Sequence, residues 1–290
     1  MHICCQGGLR RLAMLVTMLL VAAVASAATT ATTIRIASWN LEDFGYGKSR
    51  CKDLGAVATL IAPYDVIALQ ECMRFASTAG PCYGDCSGDL CHLDLLVSRL
   101  NAATNHTWQY VTSGYMHRGT RYEYLVFLYQ DTVQVIGSPG SASTFSQLGG
   151  TCAGSGVTLA TDSPVFASFR SGSFDFTLIN IHSPTDATAT YNRSAGSLYD
   201  CVQLADPREQ DIVLLGDFNS SASALGSGAG VHLVCLSASG STNDWILLDD
   251  RYTSREFAGT SGVVKSADVT SVSNHPIVWA DFSTGLADDD

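Results

Sequence analysis

The stretch IVLLGDFNS, residues 212–220, runs from four apolar residues into Gly216, Asp217, Phe218 and Asn219. Gly, Asp and Asn are ordinary turn formers, so a plain turn after a strand is one reading. Six further stretches share the pattern. IASWNLEDFG sets Asn40 after Trp39, DVIALQEC sets Glu71 after an apolar run, and EYLVFLY begins with Glu123. FTLINIHS delivers His182, TNDWILL carries Asp244, and VSNHPIVWADF carries Asn274 and His275. Strand ends are often polar and a lone His is more often structural, so no single stretch decides. Together they supply carboxylates, amides and two imidazoles. Carboxylate and amide oxygens are the hard ligands that Mg2+ or Ca2+ takes. Two imidazoles beside carboxylates suit proton transfer near neutral pH.

Elements of both kinds must position these residues. Apolar runs predict strands at 34–39, 66–69, 108–112, 125–129, 133–136, 165–169 and 176–181, one starting at 212, and two more at 246–248 and 277–282. Helices are predicted at 54–61, stopped by Pro63, at 93–100 with its apolar residues on one face, and between 191 and 204. Many strands with scattered helices make the class α/β or α+β. The Gly/Ser-rich stretches 137–156 and 220–230 read as loops, and the terminal acidic residues as a frayed tail.

Arg10 and Arg11 precede an apolar run over 12–25, followed by Ala25-Ser26-Ala27. That is the pattern of a secretory signal, residues 1–27, ahead of one domain over 28–290. The run is short for a membrane span. Of ten cysteines, Cys4 and Cys5 fall in the signal. The remaining even set, Cys51, Cys72, Cys82, Cys86, Cys91, Cys152, Cys201 and Cys235, suggests disulfides in an exported chain. Cys82, Cys86, Cys91 and His92 could instead hold zinc, but the spacing is not a standard one. Without Arg10 and Arg11 the chain has 14 Lys and Arg against 27 Asp and Glu, a net charge of −13. Such a protein gains no general attraction to nucleic acid or anionic membrane. A phosphate polymer as substrate would need bound cations to screen the repulsion.

The WN at Trp39-Asn40, the QE at Gln70-Glu71, the strand ending in His182, the GDFN at 216–219 and the SxH at 273–275 occur in an order and spacing that resembles the endonuclease/exonuclease/phosphatase superfamily, in its secreted DNase I-like branch. SREFAGTSGVV, residues 254–264, resembles a segment of some bacterial relatives. The resemblance runs over about 34–282 and implies a four-layer α/β/β/α sandwich with the active site at one end. It implies that Asn40, Glu71 and the residue at Asn274 serve a divalent metal, Mg2+ or else Mn2+ or Ca2+. Asp217 and Asn219 would orient water and a phosphate oxygen. His182 and His275 would handle protons and bind phosphate, oriented by Glu123 and Asp244, with Asp249 or Asp250 as rivals for the second place. The implied protein is a secreted monomeric endonuclease acting on DNA without stable membrane association. Two positions depart from the pattern: Asn274 stands where S-D-H has Asp, and Asp162 where DNA-cutting members place Arg. A weakened nuclease fold kept for binding, and a phosphoesterase for phospholipid or small esters, are the alternatives. Arg118 and Arg121, interleaved with Tyr115, Tyr122 and Tyr124, are either a strand-contacting loop or a solvated hairpin tip.

Overall fold

Alternation of Ile34 and Ile36 with the opposite-facing Ala37, Trp39 and Leu41 makes β1, Thr33–Phe44, a strand buried on both faces. Its placement comes from a computed structural model that describes residues 33–46, 51–74, 83, 86, 88–118, 121–136, 143–144, 164–183, 210–219, 233–236 and 243–286. The proposed signal and the predicted helix at 191–204 lie outside the described residues, as do Asp162, Cys82, Cys152 and Cys201.

From β1 the chain enters α1, Leu54–Ile61, whose first N–H groups are capped by Asp53. It returns parallel to β1 as β2, Val66–Met73. Next come α2, Cys91–Ala103, then β3, Trp108–Thr112, β4, Met116–Arg118, and β5, Arg121–Gln130. β6, Gln134–Ile136, and β7, Ser143–Thr144, are short. β8, Val165–Ser171, turns into β9, Phe174–His182. β10, Ile212–Asp217, runs parallel to β9. β11, Leu233–Cys235, β12, Asp244–Asp249, β13, Phe257–Val264, α3, Ala267–Val272, and β14, Ile277–Ser283, complete the order.

Two mixed seven-stranded sheets result. One runs β13-β14-β1-β2-β5-β3 with β4 beside β5, and the other β11-β12-β10-β9-β8-β6 with β7 beside β8. Their facing sides bury Ile36, Val66, Phe127, Phe169, Phe176, Val213 and Ile246 in one core. On its other side the first sheet buries Trp39, Leu69 and Val126 against Val57 and Ile61 of α1, Leu93 and Leu96 of α2, and Val269 of α3. The outward residues Ile179, Ile181 and Leu214 of the second sheet are also fully buried. Two mixed sheets packed face to face, with helices on the first, agree with the sandwich that the family resemblance implies. No helix among the described residues is long and apolar enough to cross a membrane.

Strand polarity gathers the site. The parallel pairs β1/β2 and β9/β10 bring four carboxyl ends to one end of the sandwich. Antiparallel β5 and β12 bring their first residues to the same end.

Cys86 and Cys91 form a disulfide at the start of α2, with Cα atoms 5.6 Å apart, which removes both from any zinc set. His92 is buried edge-on against Phe44, and burial lowers its pKa to about 4. Cys51 is disulfide-bonded. The even cysteine count does not imply complete pairing, because Cys72 is a free, fully buried thiol facing the helical core. Burial, with the charges of Glu123 and Glu71, raises its pKa well above the ordinary value.

Candidate active site

Each polar strand end carries a local distortion that aims it. In β2, Leu69 pairs with Val126 and Cys72 with Tyr124, so Gln70 and Glu71 together oppose one residue of β5. Glu71 takes a left-handed φ of 56°, and its N–H donates to Glu123 Oε1 at 2.7 Å. Asn180 of the second sheet fills the gap that the bulge leaves. Its Nδ2 donates to the carbonyls of Leu69 and Val126, both at 3.1 Å, and its Oδ1 accepts from Gln70 Nε2 at 2.7 Å. Gln70 and Asn180 are fully buried and join the sheets directly under the site. Sequence reasoning quoted Gln70 only as part of a motif and missed Asn180; a buried amide inside an apolar strand was the available signal.

β1 distorts beside it. Asn40 pairs with Gln70 and Phe44 with Cys72, so residues 41–43 loop out, with Glu42 and Asp43 at φ 49° and 59°. Glu42 N–H donates to Asn40 Oδ1, and Asp43 N–H donates to Glu71 Oε2, both at 2.9 Å. Asn40 Nδ2 then donates to Glu71 Oε1 at 3.2 Å and to Asp217 Oδ2 at 3.1 Å. One amide therefore holds two carboxylates from two sheets.

Gly216 explains itself at β10. A Cβ there would lie 1.9 Å from the carbonyl oxygen of Ile181, and φ is 144°. Only glycine lets β10 approach β9 closely enough to set Asp217 beside His182. Asn219 follows at φ 47°, its N–H donating to Asp217 Oδ1 at 2.9 Å and its Nδ2 to the Ser183 carbonyl at 2.6 Å. Asp217 is buried and Asn219 is bonded to the next strand end, so the segment is not a plain surface turn.

Both imidazoles stand on carboxylates. His182 Nδ1 donates to Glu123 Oε1 at 2.8 Å, which leaves Nε2 at 3.5 Å from Asp217 Oδ2 and 3.8 Å from Glu71 Oε1. His275 Nδ1 lies 3.2 and 3.1 Å from the two oxygens of Asp244 and 3.8 Å from Asp217 Oδ2. Burial works to lower the His275 pKa, but the hydrogen bond and charge of Asp244, aided by Asp217 and Glu71, raise it to about 9. The rival Asp249 is held by Arg251, with Nε at 3.0 Å and Nη2 at 2.6 Å, and Asp250 is exposed.

Ser273, quoted in the motif but given no role, clamps the last segment. Its hydroxyl donates to the Asn40 carbonyl at 2.7 Å and accepts from the His275 N–H at 3.1 Å, while Trp39 Nε1 donates to the His275 carbonyl at 3.1 Å. Asn274 is placed differently from its neighbours. It is exposed at the rim, and its N–H donates to Glu42 Oε2 at 3.3 Å. Arg121 pairs with Asp43. Arg74, not singled out by the sequence, lies over Tyr115 and Tyr122 at 5.0 and 5.4 Å and pairs with Asp89 at 2.8 Å.

The donor set fits a hard divalent cation. Carboxylate oxygens of Glu71 and Asp217 converge on the Asn40 amide, and ligand atoms of Asp217, Asp244 and His275 lie within 4.8 Å of one another. Carboxylates this close repel unless a cation or protons intervene.

No protein-family model matches the chain. Over 218 residues it is 27% identical to Deoxyribonuclease-1 of Gallus gallus, covering 73% of this chain and 69% of that protein. It is 27% identical over 201 residues to Deoxyribonuclease-1-like 2 of Mus musculus, covering 66% of this chain and 61% of that protein. Among solved structures, an endonuclease/exonuclease/phosphatase family protein from Bacteroides thetaiotaomicron superposes with a TM-score of 0.58 at 15% identity, over 89% of this chain and 100% of that one. That last likeness is one of fold.

Proposed function

We propose that this chain, which belongs to the endonuclease/exonuclease/phosphatase superfamily in its DNase I-like branch, is a secreted, divalent-metal-dependent phosphodiesterase. It cuts nucleic acid internally, DNA foremost, and acts as a monomer. One observation carries the reading: two imidazoles, each anchored through Nδ1 on its own buried carboxylate, flank Asp217 at 3.5 and 3.8 Å. A site built only for binding has no need of two imidazoles oriented by carboxylates around a third carboxylate.

Glu71, with Asn40, would hold Mg2+, or Mn2+ or Ca2+ in its stead. When bound, the cation offsets the charge that builds on the phosphate oxygens as a fifth ligand joins phosphorus. The remaining work falls to the side chains. Asp217, fixed by Asn40 and by the Asn219 N–H, is placed to take the proton of an attacking water. The water oxygen bonds to phosphorus and the ester P–O bond on the far side breaks. His275, cationic at neutral pH, is suited to give its proton to the departing oxygen. His182, held by Glu123, binds a non-bridging oxygen. Asn219, locked by Ser183, keeps a second oxygen in register.

Plasmid nicking with Mg2+, Mn2+ or Ca2+, each with an EDTA control, tests this. Nicks that vanish with EDTA are expected. Intact plasmid with every metal, or hydrolysis of sphingomyelin in a parallel assay in place of DNA, would overturn the reading.

A further inference from the structure

Arg121 opens β5, two residues before Glu123, and the sequence leaves it either in a loop that contacts a nucleic-acid strand or in a solvated hairpin tip. In the structure its Nη1 donates to Asp43 Oδ1, and its guanidinium carbon lies 4.3 Å from the centroid of the Tyr46 ring. The Asp43 side chain is only 9% exposed. A carboxylate so placed is costly without a cation beside it. Asp43 also sits in the looped-out part of β1, where two successive non-glycine residues, Glu42 and Asp43, are left-handed. Such backbone persists only where its surroundings fix it. The strained pair delivers two N–H groups: that of Glu42 to Asn40 Oδ1, and that of Asp43 to Glu71 Oε2. Both receivers belong to the proposed cation site.

We propose that Arg121 is a positioning residue of the divalent-metal site: by pairing with Asp43 it locks the left-handed turn whose N–H groups aim Asn40 and Glu71. This rests on the metal reading given above. The guanidinium meets Asp43 with its edge and Tyr46 with its face, and a lysine ammonium cannot do both. The Arg121 side chain is 39% exposed, but its charge is answered by the buried Asp43, so its place is that of an anchor for the turn and not of a phosphate contact.

Mn2+ titration of the full chain by calorimetry, without substrate, tests the proposal together with rates on one diester. Arg121→Met keeps an apolar stem and removes the charge. Its Mn2+ Kd should rise about tenfold, as for other groups that orient metal ligands. Its diester KM and the salt dependence of KM should stay as in the wild type, and excess Mn2+ should restore kcat. Arg121→Lys should fall between the two. Asp43→Asn, which tolerates the left-handed backbone, should show the same loss, and the double variant should be no worse than either single one. These variants carry the test if Arg121→Met does not fold. Unchanged Mn2+ affinity with a raised KM and a salt slope reduced by about one would make Arg121 a phosphate contact and overturn the proposal. A lowered melting temperature with unchanged affinity, additive losses, or a wild type that binds no Mn2+ would overturn it too. A wild type that binds Mn2+ but cleaves no diester fails the phosphodiesterase reading alone, and the affinity ratios still decide the role of Arg121.

Discussion

Replacing Asp244 by Asn strikes the proton chemistry of the site with little change in shape. An amide oxygen can still accept from His275 Nδ1, but the negative charge is gone. In the wild type, burial lowers the His275 pKa and Asp244, with Asp217 and Glu71, more than reverses this, to about 9. A group with that pKa is about 97% protonated at pH 7.5. With Asp244 neutral, Asp217 at 3.8 Å is the nearest remaining carboxylate, and burial still favours the neutral ring. The pKa should drop to the ordinary histidine value or below, where only about 9% of the rings are protonated at pH 7.5. If His275 gives a proton to the leaving oxygen, turnover at pH 7.5 should fall about tenfold and recover as the pH is lowered toward 6. Stability should follow the same titration. The folded pKa lies above the unfolded one, so His275 stabilises the fold fully below about pH 6.5, and this contribution is lost as pH rises through about 9. The full difference is up to about 3 kcal/mol in the wild type and near zero in Asp244→Asn. NMR titration of the ring nitrogens in EDTA measures the pKa, and urea unfolding at pH 6 and pH 9.5 measures the linkage. Asp249→Asn is the control, since Asp249 is occupied by Arg251. A His275 pKa unmoved in Asp244→Asn, or moved equally by Asp249→Asn, would refute the reasoning.

His182→Ala and His275→Ala should each lower turnover by about 100-fold without loss of cooperative melting; near-normal rates in both would remove the site from consideration. Asn274→Asp adds a carboxylate at the rim, and should tighten Mg2+ binding and raise the rate most at low metal concentration; calorimetry showing the same affinity as the wild type would mean that residue 274 does not serve the cation. Gly216→Ala would drive a Cβ into the Ile181 carbonyl, and should destabilise the protein by about 2–4 kcal/mol in chemical denaturation. The sequon at Asn219 should stay bare in a glycosylating host, because its amide is committed to the Ser183 carbonyl, whereas the exposed Asn105 is open to modification; peptide mass mapping of active protein decides both.

The elements that the sequence revealed are those with strong local signals. α1 is bounded by its Asp53 cap and by Pro63, and β3 and the apolar start of β10 coincide with their predicted runs. β13 went unseen because Phe257–Val264 is rich in Gly, Ser and Thr and half exposed at a sheet edge. Packing against β14 makes it a strand, not its own propensity. α3 is six residues long, too short to show a helical period, and is fixed by the Ser266 cap and by burial of Val269 and Val272. The free thiol of Cys72 shows the limit of counting: parity says nothing about which side chain a strand turns into the core.

The candidate site was legible for a different reason. Its residues lie at or within a few positions of the ends of apolar strands, and sheet polarity then brings those ends to one place. What the sequence could not show is the backbone that aims them. Left-handed φ is usually announced by glycine, but here Glu42, Asp43, Glu71 and Asn219 adopt it. These four lie within or beside the expected machinery, and the partners that hold them come from far along the chain. Arg121 is 78 residues from Asp43, and Asn180 is 111 residues from the Leu69 carbonyl that it satisfies. Strain at these positions is therefore sustained by contacts between strands, and no local pattern encodes it. The same dependence ties function to folding. Glu123 Oε1 accepts from both the Glu71 N–H and His182 Nδ1, so the bulge that turns Glu71 and the orientation of one imidazole rest on a single oxygen. The four carboxylates and two imidazoles form one coupled network across two sheets, and it is complete only when both sheets have closed on each other.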